Sequence, residues 1–549
     1  MEARRPRRPW QSAEHSDGGP NRRAVLASGA LSVATIAAVA ACTNDTTSRQ
    51  GGSSASKGSP SPTAAPHEAA IQDLPTLNDK VEGFTMADMS KIESPIDVQF
   101  PVPGPARGLV EGIDIAVNKI LREHSYLQDK GTLSIRGKIF ASAASVLGAI
   151  LTGTVGKDTA PSVVWYDASR DRAVTSPALI LPEKWGEFSK AVQTAGAKVK
   201  NLDTQGLDTF LQEQPRPFGN GPAIMFSRKG ELQLLFPAAK VDNTQGPQLV
   251  TMDAATAEPF LSPFGRAAKA AVMTPAAFDK NSIKRPDGSG NKRYDGDALY
   301  EQVTNLPEPQ KARAADPGPG PVSQLAPRSG PGVRPATVCA PDGSRLKAIC
   351  MSFDDGPSPE LNGELLTTLR TNKAAASFFN IGRSSHAAPK YSADTAAAGQ
   401  ELGCHSWSHP PLTKVAQGPK LDQQIIGVTD ELAKHMGRRP LTMRPPYGAH
   451  NHLVDDSVGA QSQSVQLWYV DTEDWKYRNV QHNIDSVKKN ARRGAIVLMH
   501  EIHPTSVKAV PQILKNLEAE GYTTMTCSEI GQNQMYAGKW YTRGFDFTR

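Results

Sequence analysis

The sequence predicts an α/β protein: a C-terminal module built on a parallel sheet, preceded by a smaller α+β module. Three observations carry this. In the C-terminal half, strand-like runs alternate with helical patterns, and repeated βα units imply a parallel sheet, open or closed into a barrel. The region before it mixes helical and strand periods. A stretch dense in Pro and Gly separates the two (PEPQKARAADPGPGPVSQLAPRSGPGVRP); it sustains neither a helix nor a central strand.

Composition bounds the function classes. The chain has 549 residues, of which 38% are hydrophobic and 21% charged. That excludes a polytopic membrane protein and a wholly disordered chain. A net charge of +6 over this length is too weak for a nucleic-acid binder.

The elements follow in order. Arg4, Arg5, Arg7, Arg8, Arg22 and Arg23 precede an apolar run from Ala24 to Ala41 that ends in Val39-Ala40-Ala41-Cys42. A basic stretch, a short apolar stretch and small residues before a cleavage point predict a secretory signal over residues 1–41. The run is rich in Ala, Ser and Gly, which is weakly hydrophobic for a membrane span. Its end resembles a bacterial lipobox, which implies lipidation of Cys42 and a tether to the membrane's outer face. Asn21-Arg22-Arg23-Ala24-Val25-Leu26 resembles a twin-arginine export signal. Residues 42–69 read as a flexible tether, 70–305 as an α+β accessory domain, 306–336 as the linker, 337–535 as the βα module and 536–549 as a tail. In the accessory region Leu109–Leu127 has helical spacing, while 162–166 and 233–237 read as strands. It shows no metal-ligand cluster, nucleophile elbow or phosphate loop.

In the βα module, strands are expected at Ala348–Phe353, Ala375–Ile381, Val465–Val470, Ala495–Met499 and Tyr522–Thr526. Helices are expected at Pro359–Arg370, Leu421–Met436, Ile484–Arg492 and Ser506–Glu520. Exported proteins allow disulfides. Cys339 and Cys350 flank a turn-like Pro341-Asp342-Gly343 and are the preferred pair; Cys404 and Cys527 are either a second pair or two free thiols.

Active groups in parallel sheets sit at the carboxyl ends of strands. Five short motifs follow strands here. Ser352-Phe353-Asp354-Asp355-Gly356-Pro357 offers adjacent carboxylates able to take different roles; alone, it reads as a plain turn. His405-Ser406-Trp407-Ser408-His409 offers two imidazoles that, with one Asp, make a two-His, one-carboxylate ligand set. Arg444-Pro445-Pro446-Tyr447-Gly448 offers a carboxylate clamp. Asp471-Thr472-Glu473-Asp474-Trp475 offers carboxylates. Ile496-Val497-Leu498-Met499-His500 ends a strand in an acid or base.

In this order and in one module, SFDDGP, HSWSH, RPPYG, DTEDW and LMH resemble the motifs of polysaccharide deacetylases of the NodB-homology type, carbohydrate esterase family four. The resemblance covers residues about 345 to 530 and implies a distorted (β/α) barrel. It implies that Asp355, His405 and His409 hold a divalent ion, zinc first, with cobalt or nickel also fitting. Asp354 would be the base, oriented by Arg444. His500 would be the acid, paired with Asp474 in preference to Asp471. The backbone N–H of Tyr447 would hold the oxyanion, and Trp475 and Leu498 would wall the pocket. Glu501 stands where Asp is usual and Cys404 where Asn is common, neither at a ligand or catalytic position of the family. The segment His500–Pro504 through Pro511 is similar to the peptidoglycan deacetylase branch. The implied substrate is N-acetylated cell-wall peptidoglycan. The competing readings are chitin oligomers or an exopolysaccharide as substrate, and a sugar-binding or sensing lipoprotein centred on the accessory region.

Overall fold

The computed structural model describes residues 65–284 and 347–544, apart from 93–95, 127–130, 157, 175, 200–201, 203–222, 237–246 and 532–534. The expected signal, Cys42, most of the tether, the linker and Cys339 lie outside the described residues. Among the described residues no helix is long and apolar enough to cross a membrane.

The N-terminal region holds two sheets. Six strands run in chain order across the first: β1 (Phe84–Asp88), β2 (Asp97–Pro103), β3 (Leu133–Ala143), β4 (Val146–Val155), β5 (Asp158–Asp167) and β6 (Arg172–Val174). A small antiparallel sheet follows: β7 (Ala223–Phe226), β8 (Leu232–Phe236) and β9 (Gln248–Met252). Trp165 on β5 is fully buried between Phe140 and Phe226, and its indole N–H donates to the Ile224 carbonyl, so one aromatic side chain joins both sheets. The expected helix runs Arg107–Ser125, starting two residues before and ending two before the predicted bounds.

The C-terminal module is a curled, all-parallel half-barrel sheet. Its strands are β10 (Lys347–Gly356), β11 (Ala376–Asn380), β12 (Glu401–Cys404), β13 (Thr442–Met443), β14 (Ser464–Gln466), β15 (Val470–Asp471), β16 (Ile496–His500), β17 (Tyr522–Thr524) and β18 (Trp540–Tyr541). The order is β15-β16-β10-β11-β12-β13-β14-β18, with β17 added beside the start of β10. Helices Asn362–Thr371, Pro419–Met436, Val480–Asn490 and Pro504–Ala519 connect the strands, as the helical spacing predicts. Two expectations change. The single strand Val465–Val470 is two: β14, between β13 and β18, and β15, at the opposite edge of the sheet. Trp540–Tyr541, assigned by sequence to the tail, pairs in parallel with β14 and belongs to the barrel.

The two regions share one hydrophobic core. Leu109, Ile113, Val117 and Ile120 of helix Arg107–Ser125 lie in the same cluster as Phe353, Phe378, Leu402, Met443 and Val465. Nearly every residue of this helix is buried, including its charged ones. It lies across the starts of β12, β13 and β14, away from the strand ends that carry the motifs. Arg107 Nε donates to the Ser462 carbonyl at 2.7 Å, and Arg122 Nη1 to the Gly399 carbonyl at 2.7 Å. Arg122 also pairs with Glu529, and Arg438 with Asp114 and Asn118. Burial pushes the Glu111 carboxyl up to about 7, against the pull of Arg107. Gly399 has φ +71°, and a Cβ there would meet backbone atoms of Asn118 and Arg122 at 2.2 and 2.3 Å. Only glycine permits this approach.

Arg122→Ala would strand the buried Glu529 carboxylate without its cation. The expected loss is about 3–5 kcal/mol. Arg136→Ala, which breaks an ion pair with Asp97 at half-exposed positions, should cost less than about 1 kcal/mol. Urea denaturation of both variants measures the difference; equal effects would refute the structural role given to the Arg122 pair.

Candidate active site

Strand β10 sets the origin of the site. Asp354 pairs in register with His500 of β16, so these two residues end adjacent parallel strands side by side. The next residue is a bulge: the β10–β11 register shifts between Asp354 and Gly356, and Asp355 has φ +69°. A bulge re-aims a side chain. It turns two consecutive carboxylates from opposite faces of a strand toward one pocket.

Asp355 meets the histidines there. Its Oδ1 lies 3.1 Å from His409 Nε2 and 3.5 Å from His405 Nε2. One ligand atom from each of the three lies within 4.8 Å of the others. Asp355 Oδ1 is buried without a hydrogen-bond donor. His405 Nδ1 is 2.7 Å from the Arg444 carbonyl oxygen, which can only accept; Nδ1 therefore carries the proton, and Nε2 keeps a free lone pair toward Asp355. His409 sits at φ +65°, its N–H held by Ser406 Oγ at 3.0 Å. Burial alone would raise the Asp355 carboxyl, but the neighbouring His405 and His409 imidazoles hold it well below the usual carboxylate range. A bare carboxylate oxygen and an imidazole nitrogen locked as a free donor fit a divalent cation.

Arg444 is fully buried behind them. Its Nη1 donates to Asp354 Oδ1 at 2.7 Å and to Ser352 Oγ at 2.9 Å. Its Nε and Nη2 donate to the Gln466 and Leu467 carbonyls, both at 3.1 Å. The guanidinium also stacks 4.2 Å from the Phe379 ring centre. Tyr447, at φ +62° after the two prolines, is exposed, with its ring 4.7 Å from that of His409.

His500 and Asp474 form the second pair. His500 Nδ1 lies 2.7 Å from Asp474 Oδ1, and its backbone N–H donates to Asp474 Oδ2 at 2.8 Å. Ser506 also donates to Oδ2. Burial lowers the His500 imidazole, but the hydrogen bond and charge of Asp474 outweigh it and hold the ring above the usual histidine range. Asp474, itself raised by burial, is carried below its usual range by the same contact. Asp471 is exposed, and its carboxylate accepts from Glu473 N within its own turn. Leu498 is buried two residues before His500, on the same strand face. Trp475 is half-exposed beside Asp474.

The structure thus brings Asp354, Asp355, His405, His409, Arg444, His500 and Asp474 to one end of the sheet. Ser506 and the strut role of Ser352 escape a sequence reading: Ser506 lies in no motif, and only the packing of helix Pro504–Ala519 reveals its bond. Glu501 packs behind the loop, where its Oε1 accepts from Ser358 N and Asn362 Nδ2; burial raises it to about 7. The preferred disulfide is not seen: Cys350 is a free, buried thiol, and Cys339 lies outside the described residues. Nor do Cys404 and Cys527 pair: Cys404 Sγ faces Thr429 and Gln463.

Comparisons with known proteins come to bear here. Residues 342–462 match the family model "Polysaccharide deacetylase". The peptidoglycan-N-acetylglucosamine deacetylase PgdA of Listeria monocytogenes is 34% identical over 246 residues, 44% of this chain and 51% of that protein. The peptidoglycan-N-acetylmuramic acid deacetylase PdaC of Bacillus subtilis is 38% identical over 184 residues, 34% of this chain and 38% of that protein. A peptidoglycan-N-acetylglucosamine deacetylase of Bacillus cereus is 32% identical over 189 residues, 34% of this chain and 88% of that protein. The chain spans about half the length of the first and 38% of the second.

His405→Ala should abolish tight zinc binding in isothermal titration while leaving the circular dichroism spectrum unchanged; undiminished binding would refute the ligand set. Asp474→Asn should lower the NMR titration midpoint of His500, because burial then acts without the opposing carboxylate. Asp471→Asn should leave that midpoint unmoved, and the reverse pattern would transfer the pairing to Asp471.

Proposed function

The chain belongs to the polysaccharide deacetylase family, and from that premise we propose that it hydrolyses N-acetyl groups of amino sugars in cell-wall peptidoglycan, releasing acetate. One observation carries the reading: an Asp-His-His ligand set lies beside a clamped carboxylate and a carboxylate-paired histidine at the same strand ends. The named activities of the relatives support peptidoglycan as the polymer.

Asp355, His405 and His409 would hold a divalent ion, zinc first among those that suit two imidazoles and one carboxylate, with cobalt or nickel also fitting. When bound there, the ion supplies a Lewis acid for the acetyl carbonyl and acidifies a water toward a pKa of about 7. Asp354, aimed by Arg444, takes the proton of the attacking water. The backbone N–H of Tyr447 stabilises the developing oxyanion. His500, kept protonated by Asp474, gives its proton to the leaving amine, without which the C–N bond would expel an unstable amide anion. Trp475 and Leu498 flank the acetyl group. His500 thus owes its charge to its buried partner Asp474, while Arg444 fixes the direction in which Asp354 points. We also propose export and lipid anchoring through Cys42.

Acetate release from purified peptidoglycan, compared with chitin oligomers and with and without chelator, tests the activity. The expected result is chelator-sensitive release that favours peptidoglycan. Asp354→Asn should retain zinc and lose activity by a factor on the order of a hundred or more. Release that survives both chelation and Asp354→Asn would refute the mechanism. Cys42→Ser should move the protein out of the detergent-extracted membrane fraction; unchanged membrane association would instead make the apolar run a true span.

A further inference from the structure

Three thiols are described, and two of them face each other. Cys350 Sγ, on β10, lies 3.5 Å from Cys527 Sγ, the first residue of helix Cys527–Gly531. Both side chains are fully buried in a small cluster with Phe379, Ile496, Met525, Ile530, Met535 and Tyr541. Ser377 is a polar neighbour shared by the two cysteines: its Oγ accepts from Cys527 N at 2.8 Å and lies 3.7 Å from Cys350 Sγ. Local structure fixes the approach from both sides. β17, three residues upstream of Cys527, pairs directly with β10, and Met525 N donates to the Ile349 carbonyl at 2.9 Å. The sulfurs are in contact, and bonding them at about 2.0 Å requires both side chains to turn toward each other.

We propose that Cys350 and Cys527 form a structural disulfide that ties the first strand of the barrel to its C-terminal helix. Two thiols give up two protons and two electrons as one S–S bond forms. An organic disulfide, such as that of a thiol–disulfide exchange protein, accepts both and leaves as a dithiol. The exchange precedes final packing. In the folded protein neither sulfur meets solvent, and burial holds the Cys350 thiol well above the usual range, so the nucleophilic thiolate is scarce. The same burial then shields the bond from reductants. The cross-link closes a loop of 177 residues, long enough to restrict the unfolded chain strongly. It also braces Glu529, on the same short helix, against Arg122 of the N-terminal region. The proposal rests on the export reading only for its oxidising compartment.

The test refolds the full chain from urea in a glutathione redox buffer, alkylates free thiols and maps peptides by mass spectrometry. A Cys350–Cys527 linked peptide, two hydrogens lighter than its parts, with Cys404 alkylated only after denaturation, is the expected result. A Cys339–Cys350 link, or free Cys350 and Cys527 after refolding, overturns the proposal. The same mapping on protein acid-trapped from producing cells separates the two readings: a pair linked in glutathione but free in cells supports the pairing and overturns export. Reductant should lower the thermal midpoint of the linked protein by roughly 5 °C. The double variant Cys350→Ala, Cys527→Ala should show no such dependence, and a persisting dependence would overturn the assignment of the effect to this pair.

Discussion

Everything at the catalytic end of the barrel hangs on one buried guanidinium. Arg444 binds the side chains of Asp354 and Ser352 and the carbonyls of Gln466 and Leu467. Its own carbonyl fixes the tautomer of His405. A buried cation is tolerable only when its donors are met, and a planar fork of five N–H groups meets four acceptors where an ammonium would not. The same residue therefore orients Asp354, leaves His405 Nε2 as the unprotonated nitrogen facing Asp355 and pins the loop after β14. The Pro445-Pro446 exit that follows keeps its backbone from moving independently of its side chain.

The N-terminal region completes the barrel rather than hanging from it. Helix Arg107–Ser125 meets open strand starts with both apolar residues and arginines that reach the carbonyls of Gly399, Leu441 and Ser462. A short curled sheet leaves such carbonyls at its rim, and burying them without donors would be costly. The helix answers that need, which is why so many of its charged residues are buried yet paired.

Legibility from sequence followed the length of each periodic signal. The adjacent strands β16 and β10, inside the catalytic sheet, read clearly because Ala348–Met351 and Ala495–Met499 are continuous apolar runs. Thr442–Met443 and Trp540–Tyr541 are two residues each, too short for any period, and only their pairing reveals them. The long hairpin of β3 and β4 was missed because Gly137, Gly148 and Gly153 interrupt it. Gly148 is there because a Cβ would meet the Trp165 ring at 2.8 Å. The ligand set and both carboxylate partnerships were legible because chemistry at strand ends comes in compact motifs. The cysteine contact was not, since nothing local announces an encounter across 177 residues.

The backbone at the site carries its own lesson. Asp355, Ser406, His409 and Tyr447 all adopt left-handed φ between 62° and 69°, a conformation that favours glycine and costs about 1 kcal/mol or more per residue otherwise. None of the four can become glycine without removing a ligand, a strut or a ring from the pocket. Under the proposed function, keeping these four side chains holds the fold below the stability that glycine would allow there. Where that function is lost, glycine at these positions becomes a stabilising change, and loss of activity should travel with a hardier fold.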